Sequence, residues 1–278
     1  MRKKAGNVQF LFRIFQGALI GLGAVLPGIS GGVLCVIFGV YQPIMEVLAN
    51  PFKAVRKHIG LLIPIGIGVV VGFLGIAKLL GFLLERYPNP SVCLFVGLIV
   101  GMLPSLYREA GEQGRNRNSF IAMGVAFAVI LGLLVTLRVI SVQIVPNFVW
   151  YLFCGFCLAL SVIAPGMSFS TLLMPLGLYT PFINGIGSID FGVLIPGGIG
   201  ALLTVILFSR AVDSMMKHHY SVMFHAIIGV VVAATLVIIP FGSFTAGVGS
   251  ALINVICLAA GVVSALALDK FNSGIKKE

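Results

Sequence analysis

The sequence predicts an all-α, polytopic membrane protein built as two inverted repeats, each a broken, re-entrant helical hairpin followed by three transmembrane helices. Three observations lead there. The composition is too apolar for a water-soluble fold, apolar runs of spanning length alternate with short basic loops, and a Pro-Gly-x-Ser break recurs half a chain later in similar surroundings.

Of the 278 residues, 59% are hydrophobic and only 9% charged, and the mean hydropathy is +1.13. A soluble domain carries about 25% charged residues, so lipid must be the solvent for most of this surface. The formal net charge is +10 and the pI about 9.7. In a soluble chain that balance would suggest a nucleic acid. Here the basic residues sit in short loops, which points to membrane orientation and anionic lipid, with no nucleic-acid partner. The start, Arg2-Lys3-Lys4, lacks a small-residue cleavage site and reads as an uncleaved cytoplasmic end. Cys35, Cys93, Cys154, Cys157 and Cys257 all fall in apolar stretches and read as inert thiols. No metal-ligand cluster or nucleotide-binding glycine loop is present in the sequence, so no metal or cofactor is expected.

The first half, 1–140, opens with an apolar stretch at 14–49, too long for one span and broken at Pro27-Gly28. Spans follow at 59–84, 91–107 and 119–138, each near the roughly 20 apolar residues that a bilayer requires. The second half, 141–278, repeats the order: a broken stretch at 148–187, then spans at 191–209, 222–240 and 246–268. Each broken stretch is either a re-entrant hairpin or two short spans. Both return the chain to the side it left.

The loop charges set the orientation. Arg2, Lys3, Lys4, Arg13, Lys53, Arg56, Lys57, Arg108, Arg115, Arg117, Arg210, Lys217, Lys270, Lys276 and Lys277 then all share one side. The other side receives Arg86 and Arg138 alone, and Lys78 lies within a span. This asymmetry places both termini in the cytoplasm.

The repeat is legible residue by residue. Residues 25–44 read VLPGISGGVLCVIFGVYQPI, and residues 163–182 read IAPGMSFSTLLMPLGLYTPF. At this offset of 138 seven positions are identical, among them Pro27/Pro165, Gly28/Gly166, Ser30/Ser168, Gly39/Gly177 and Tyr41/Tyr179. Further on the offset is 132, pairing LLIPIGIG at 61–68 with VLIPGGIG at 193–200, Lys78 with Arg210, and Gly97 with Gly229. Each half crosses the membrane an odd number of times, so the second must lie upside down relative to the first, as in many secondary transporters. The two hairpin tips should then approach each other near the midplane.

Those tips are where chemistry is expected. Pro27-Gly28 stops one helix and a new one can start at Ser30-Gly31-Gly32, leaving backbone amides without intrahelical partners. With the positive helix end and the Ser30 hydroxyl, they form a candidate anion site. Ser168, Ser170 and Thr171 supply the hydroxyls of the second copy. The bland alternative is a helix kink capped by serine, and its symmetric recurrence argues against that. Lys78, six residues before the end of 59–84, either snorkels outward or pairs functionally with its repeat mate Arg210, itself a candidate anchor. Glu46 either carries a coupling ion or pairs with Lys53, Arg56 or Lys57. His225 reads as a hydrogen-bonded packing residue, His218 and His219 as loop residues, and Asp190 and Asp213 as caps or local partners.

At PGISGG, followed by GVYQP and by GLIVGMLP at 97–104, the sequence resembles the PopT-type polyprenyl-phosphate transporter family of bacteria and archaea, formerly a family of unknown function. The resemblance spans about residues 13–268, and residues 27–32 are its most specific part. The second copy departs after Ser168, with Phe169 and Ser170 where the first has two glycines. The resemblance implies a non-enzymatic flippase in a bacterial cytoplasmic membrane that returns undecaprenyl phosphate to the cytoplasmic leaflet. Its partners would be that lipid and the surrounding membrane, with homo-oligomers admissible. Ser30, Gly31, Gly32 and Ser168 would hold the phosphate, and Lys78 and Arg210 would serve the two faces. A secondary transporter of a small anion would use the same residues but needs a closed polar path. An intramembrane serine hydrolase would use Gly28-Ile29-Ser30-Gly31 with His225 as base, yet a nucleophile needs no inverted twin. A purely structural membrane protein leaves the broken helices unexplained.

Overall fold

A computed structural model describes residues 2–25, 34–35, 38–49, 51–140, 144–163 and 168–275, and among them it is helical throughout, without strands. The helices are α1 (Arg2–Val25), α2 (Tyr41–Ala49), α3 (Pro51–Arg86), α4 (Pro88–Ala110), α5 (Arg117–Val139), α6 (Phe148–Ile163), α7 (Phe169–Leu173), α8 (Tyr179–Gly187), α9 (Phe191–His218), α10 (Tyr220–Ile238), α11 (Phe241–Thr245) and α12 (Val248–Ile275). Six are long and apolar enough to cross a membrane: α3 to α5, α9, α10 and α12. They coincide with the six expected spans, and the protein is a multi-pass membrane protein. The broken stretches carry instead the shorter apolar segments Gln9–Val25 and Phe148–Ile163.

Several boundaries differ from the expectation. The helix around 59–84 starts at Pro51, and the one around 191–209 runs on to His218, so His218 closes a helix rather than lying in a loop. These polar extensions, 51–57 and 210–218, continue the backbone hydrogen bonding beyond the apolar window. The span expected at 222–240 ends at Ile238, because Ile239 precedes Pro240 and adopts an extended ψ of 123°. The expected last span, 246–268, begins two residues later, at Val248, after the short α11 and the bend at 246–247. Asn116 caps α5 by accepting from the Ser119 amide at 2.9 Å, and Asp190 caps α9 by accepting from the Gly192 amide at 2.8 Å.

Packing is organised in parallel pairs. Gly17 and Gly21 of α1 face Gly68 and Gly72 of α3, two Gly-x-x-x-Gly stripes in register. A Cβ on Gly17 would strike the Ile65 carbonyl, and one on Gly68 the Ile14 carbonyl. With lipid on all sides, such backbone-to-backbone contact is what holds helices together. In α6 and α9 the same approaches recur: Gly155 meets the Gly197 carbonyl and Gly200 the Leu152 carbonyl. These positions are the repeat mates of the first set, at offsets of 138 and 132. Gly97 of α4 backs onto Leu258 and Gly101 onto Val262, so α4 runs parallel to α12. Gly229, mate of Gly97, backs onto Met123 of α5. The Ser119 and Ser221 hydroxyls meet at 3.0 Å at one end of α5 and α10, and Arg138 Nη1 donates to the Val237 carbonyl at 3.3 Å at the other. Those helices therefore also run parallel.

The turn inside each hairpin is built alike. Gly39 and Gly177 have φ of 67° and 69°, in the left-handed region that glycine enters freely. The following amides close the same six-residue loop, Val40 N to Cys35 O at 2.8 Å and Leu178 N to Leu173 O at 3.1 Å. This is why the glycine recurs at both places.

Candidate functional site

The described part of the second hairpin is a buried polar knot. Ser168 precedes α7 with an extended backbone, and its hydroxyl meets that of Ser170 at 2.6 Å. The Thr171 hydroxyl donates to the Ser168 carbonyl at 2.6 Å. All three side chains are buried. Ser168 therefore satisfies Ser170 and caps no amide of the first turn of α7. Ser30, Gly31 and Gly32, the first-copy candidates, lie outside the described residues.

Among the described residues, a hydrogen bond links the two broken segments. Tyr179, 1% exposed, donates its hydroxyl to the Val25 carbonyl at 2.8 Å. Val25 is the last described residue before Pro27. Around this bond Val25, Ala77, Phe95, Phe169, Leu173 and Phe182 form one apolar cluster. Phe169 touches both Tyr179 and Phe182, with ring centroids at 5.8 and 6.3 Å. The phenylalanine that replaces the first copy's Gly31 thus fills the core beside the hairpin junction.

Lys78 sits on an exposed face of α3, with Gly187 of α8 against its backbone. Arg210 lies within α9, and its side chain is outside those described. Glu46 is exposed and pairs with His58 at 2.8 Å and Lys57 at 3.0 Å. His58 and then Lys57 hold its carboxyl below the usual range. His225 is fully buried, its Nδ1 2.7 Å from the Ser221 carbonyl and its ring edge-on to Tyr107 and Phe120. That is the packing role expected of it. Cys35, Cys93, Cys154 and Cys157 are buried and free, and no metal-ligand group occurs among the described residues.

A feature that sequence reasoning passed over is a cavity of about 520 Å³ beside the second hairpin. Its floor is the turn at 174–177 with Tyr179 and Thr180, and its walls come from Ile144 and from the ends of α3, α4, α5 and α10. Among the described residues, Arg138 is its single charged lining residue. The sequence held one signal for it: Arg138 is one of two cations on the side where the charge asymmetry expects none.

Comparison with known proteins gives a consistent picture. The family described as undecaprenyl phosphate translocase-like matches residues 2–119 and 48–255, most of the chain. A polyprenyl-phosphate transporter of Vibrio cholerae serotype O1 is 24% identical over 230 residues, covering 78% of this chain and 73% of its own. A polyprenyl-phosphate transporter of Staphylococcus aureus is 23% identical over 245 residues, covering 82% and 85%. No solved structure matches. With both broken hairpins, the spans between them and nearly all of the second half inside the matched region, the chain belongs to the undecaprenyl phosphate translocase-like family.

Proposed function

We propose that the protein moves a polyprenyl phosphate across the membrane, returning undecaprenyl phosphate from the outer to the cytoplasmic leaflet for envelope polymer synthesis. The junction of the two broken segments carries this reading: Tyr179 of one holds the carbonyl of Val25, two residues before Pro27 of the other. The end of α1 and the second hairpin meet here within an apolar cluster, where amides freed by the helix breaks would serve an anion that has no water. The two relatives are named as transporters of such an anion, not as enzymes.

The halves, 1–140 and 141–278, act as inverted repeats. Supporting this, the close glycine contacts recur at matching offsets. In addition α5 turns back from α4 through the short segment 111–116 and runs parallel to α10. By that path α10 opposes α4, its own repeat mate. The phosphate is held by Ser30, Gly31, Gly32 and Ser168, with Ser170 and Thr171 shaping the second tip. Lys78 and Arg210 attract it at opposite faces, and both termini lie in the cytoplasm of a bacterial cell.

The test is reconstitution in vesicles carrying undecaprenyl phosphate in one leaflet. The lipid should redistribute with wild-type protein, and Ser30→Ala or Ser168→Ala should slow it about tenfold or more, the scale of a lost hydrogen bond to a charged group. Wild-type protein that leaves the lipid in place yet takes up labelled small anions would replace this reading with that of an anion transporter. Unchanged redistribution in both well-folded serine variants would remove the tips from the mechanism.

A further inference from the structure

We infer that the Arg138 cavity is a separate loading site, which takes a phosphate monoester on a single apolar tail before the hairpin tips receive it. This rests on the transport reading above but assigns residues that it does not use. The cavity's volume, about 520 Å³, lies within the range of ordinary ligand sites. Its lining brings Arg138 and Thr180 to one space whose other lining residues are largely aliphatic.

Arg138 is free to bind. It carries five N–H donors, and one of them, on Nη1, is spent on the Val237 carbonyl at 3.3 Å. Among the described residues no carboxylate lies within ion-pair distance of it. A structural arginine that merely closed the end of α10 would need no cavity in front of it. An arginine fork matches a phosphate better than any other side chain.

The position of the cavity argues for a lipid source. Leu134, Leu137 and Arg138 line it from α5, while their neighbours Leu133, Val135 and Val139 are exposed on the same helix. One helix therefore separates the cavity from the bilayer. A headgroup can enter with its tail still in lipid, whereas free phosphate gains nothing from the aliphatic wall. The floor, 174–177, belongs to the hairpin whose other end carries Ser168, so a phosphate here already touches the element that would pass it inward.

The experiment uses full-length protein in detergent. Thr180→Cys is made in a Cys257→Ala background, because Cys257 is half-buried and the other four thiols are buried. Its reaction with an impermeant maleimide is timed with farnesyl phosphate, farnesol or inorganic phosphate, and farnesyl phosphate binding is measured separately by equilibrium dialysis. Farnesyl phosphate should protect Cys at 180, and Arg138→Gln should raise the protecting concentration about tenfold or more, with Arg138→Lys in between. The melting temperature of each variant separates loss of binding from loss of fold, and Arg138→Lys tests the inference should Arg138→Gln not fold. Protection by inorganic phosphate at the same concentration would overturn the lipid source, and protection by farnesol would overturn the phosphate. Bound farnesyl phosphate without protection, or equal protection in Arg138→Gln, would overturn the loading site and leave the transport reading standing. Absence of farnesyl phosphate binding to wild-type protein would overturn both.

Discussion

At the scale of single residues, the most consequential contact is one hydroxyl. Tyr179 is buried, and its bond to the Val25 carbonyl joins the second hairpin to the end of α1. Removing the hydroxyl leaves that carbonyl without this donor inside an apolar cluster, a loss of about 1–3 kcal/mol. Tyr179→Phe should therefore lower the melting temperature in detergent while the ring keeps its place between Phe95 and Phe169. An unchanged melting temperature would mean that the bond is dispensable. The tyrosine was visible in the sequence as a repeated position, but its partner was not, since periodicity says nothing about which carbonyl lies 154 residues away. Arg138 was legible only as an exception to a charge rule, because a cavity is a property of several helices at once.

At the scale of elements, packing is decided by glycine. Each hairpin's leading helix lies parallel to the first span of its own half, α1 on α3 and α6 on α9, close enough that the backbones touch. Gly68→Leu and Gly200→Leu should each destabilise the protein by about 1–3 kcal/mol or more, since the added atoms meet main chain that cannot rotate away. Melting in detergent checks this, and similar losses at the two sites are expected from their equivalent surroundings. Gly75, open to its surroundings, is the control that should tolerate the same change. Element number and type were largely readable from hydropathy, because lipid leaves helices as the ordinary solution. Helix ends were not, since polar extensions such as 210–218 carry no apolar signal. The Gly-x-x-x-Gly stripes were present in the sequence, but a chain with 35 glycines does not announce which ones face a partner.

For the whole molecule, orientation is the property that most needs a direct measurement. The loop charges predict that single cysteines replacing Glu112, between α4 and α5, label from the cytoplasm, and those replacing Asn147, ahead of α6, label from outside. Both positions are exposed. Labelling of both from one side would break the count of crossings on which the inverted repeat depends. The repeat itself was legible early because duplicated turns keep their glycine and tyrosine. How the halves interlock was not, since α4 pairs with α12 and α5 with α10 across the two halves. The parallel glycine seams also have a mechanical consequence. With backbones in contact, α1 cannot slide along α3, nor α6 along α9, without main-chain collision. Each pair behaves as a stiff lever, and the α4–α12 and α5–α10 pairs form the frame between them. In the transport cycle proposed above, rocking of one lever against the other would have its fulcrum where α8 packs against α3, at the close contacts of Gly81 with Asn184 and of Gly187 with Lys78.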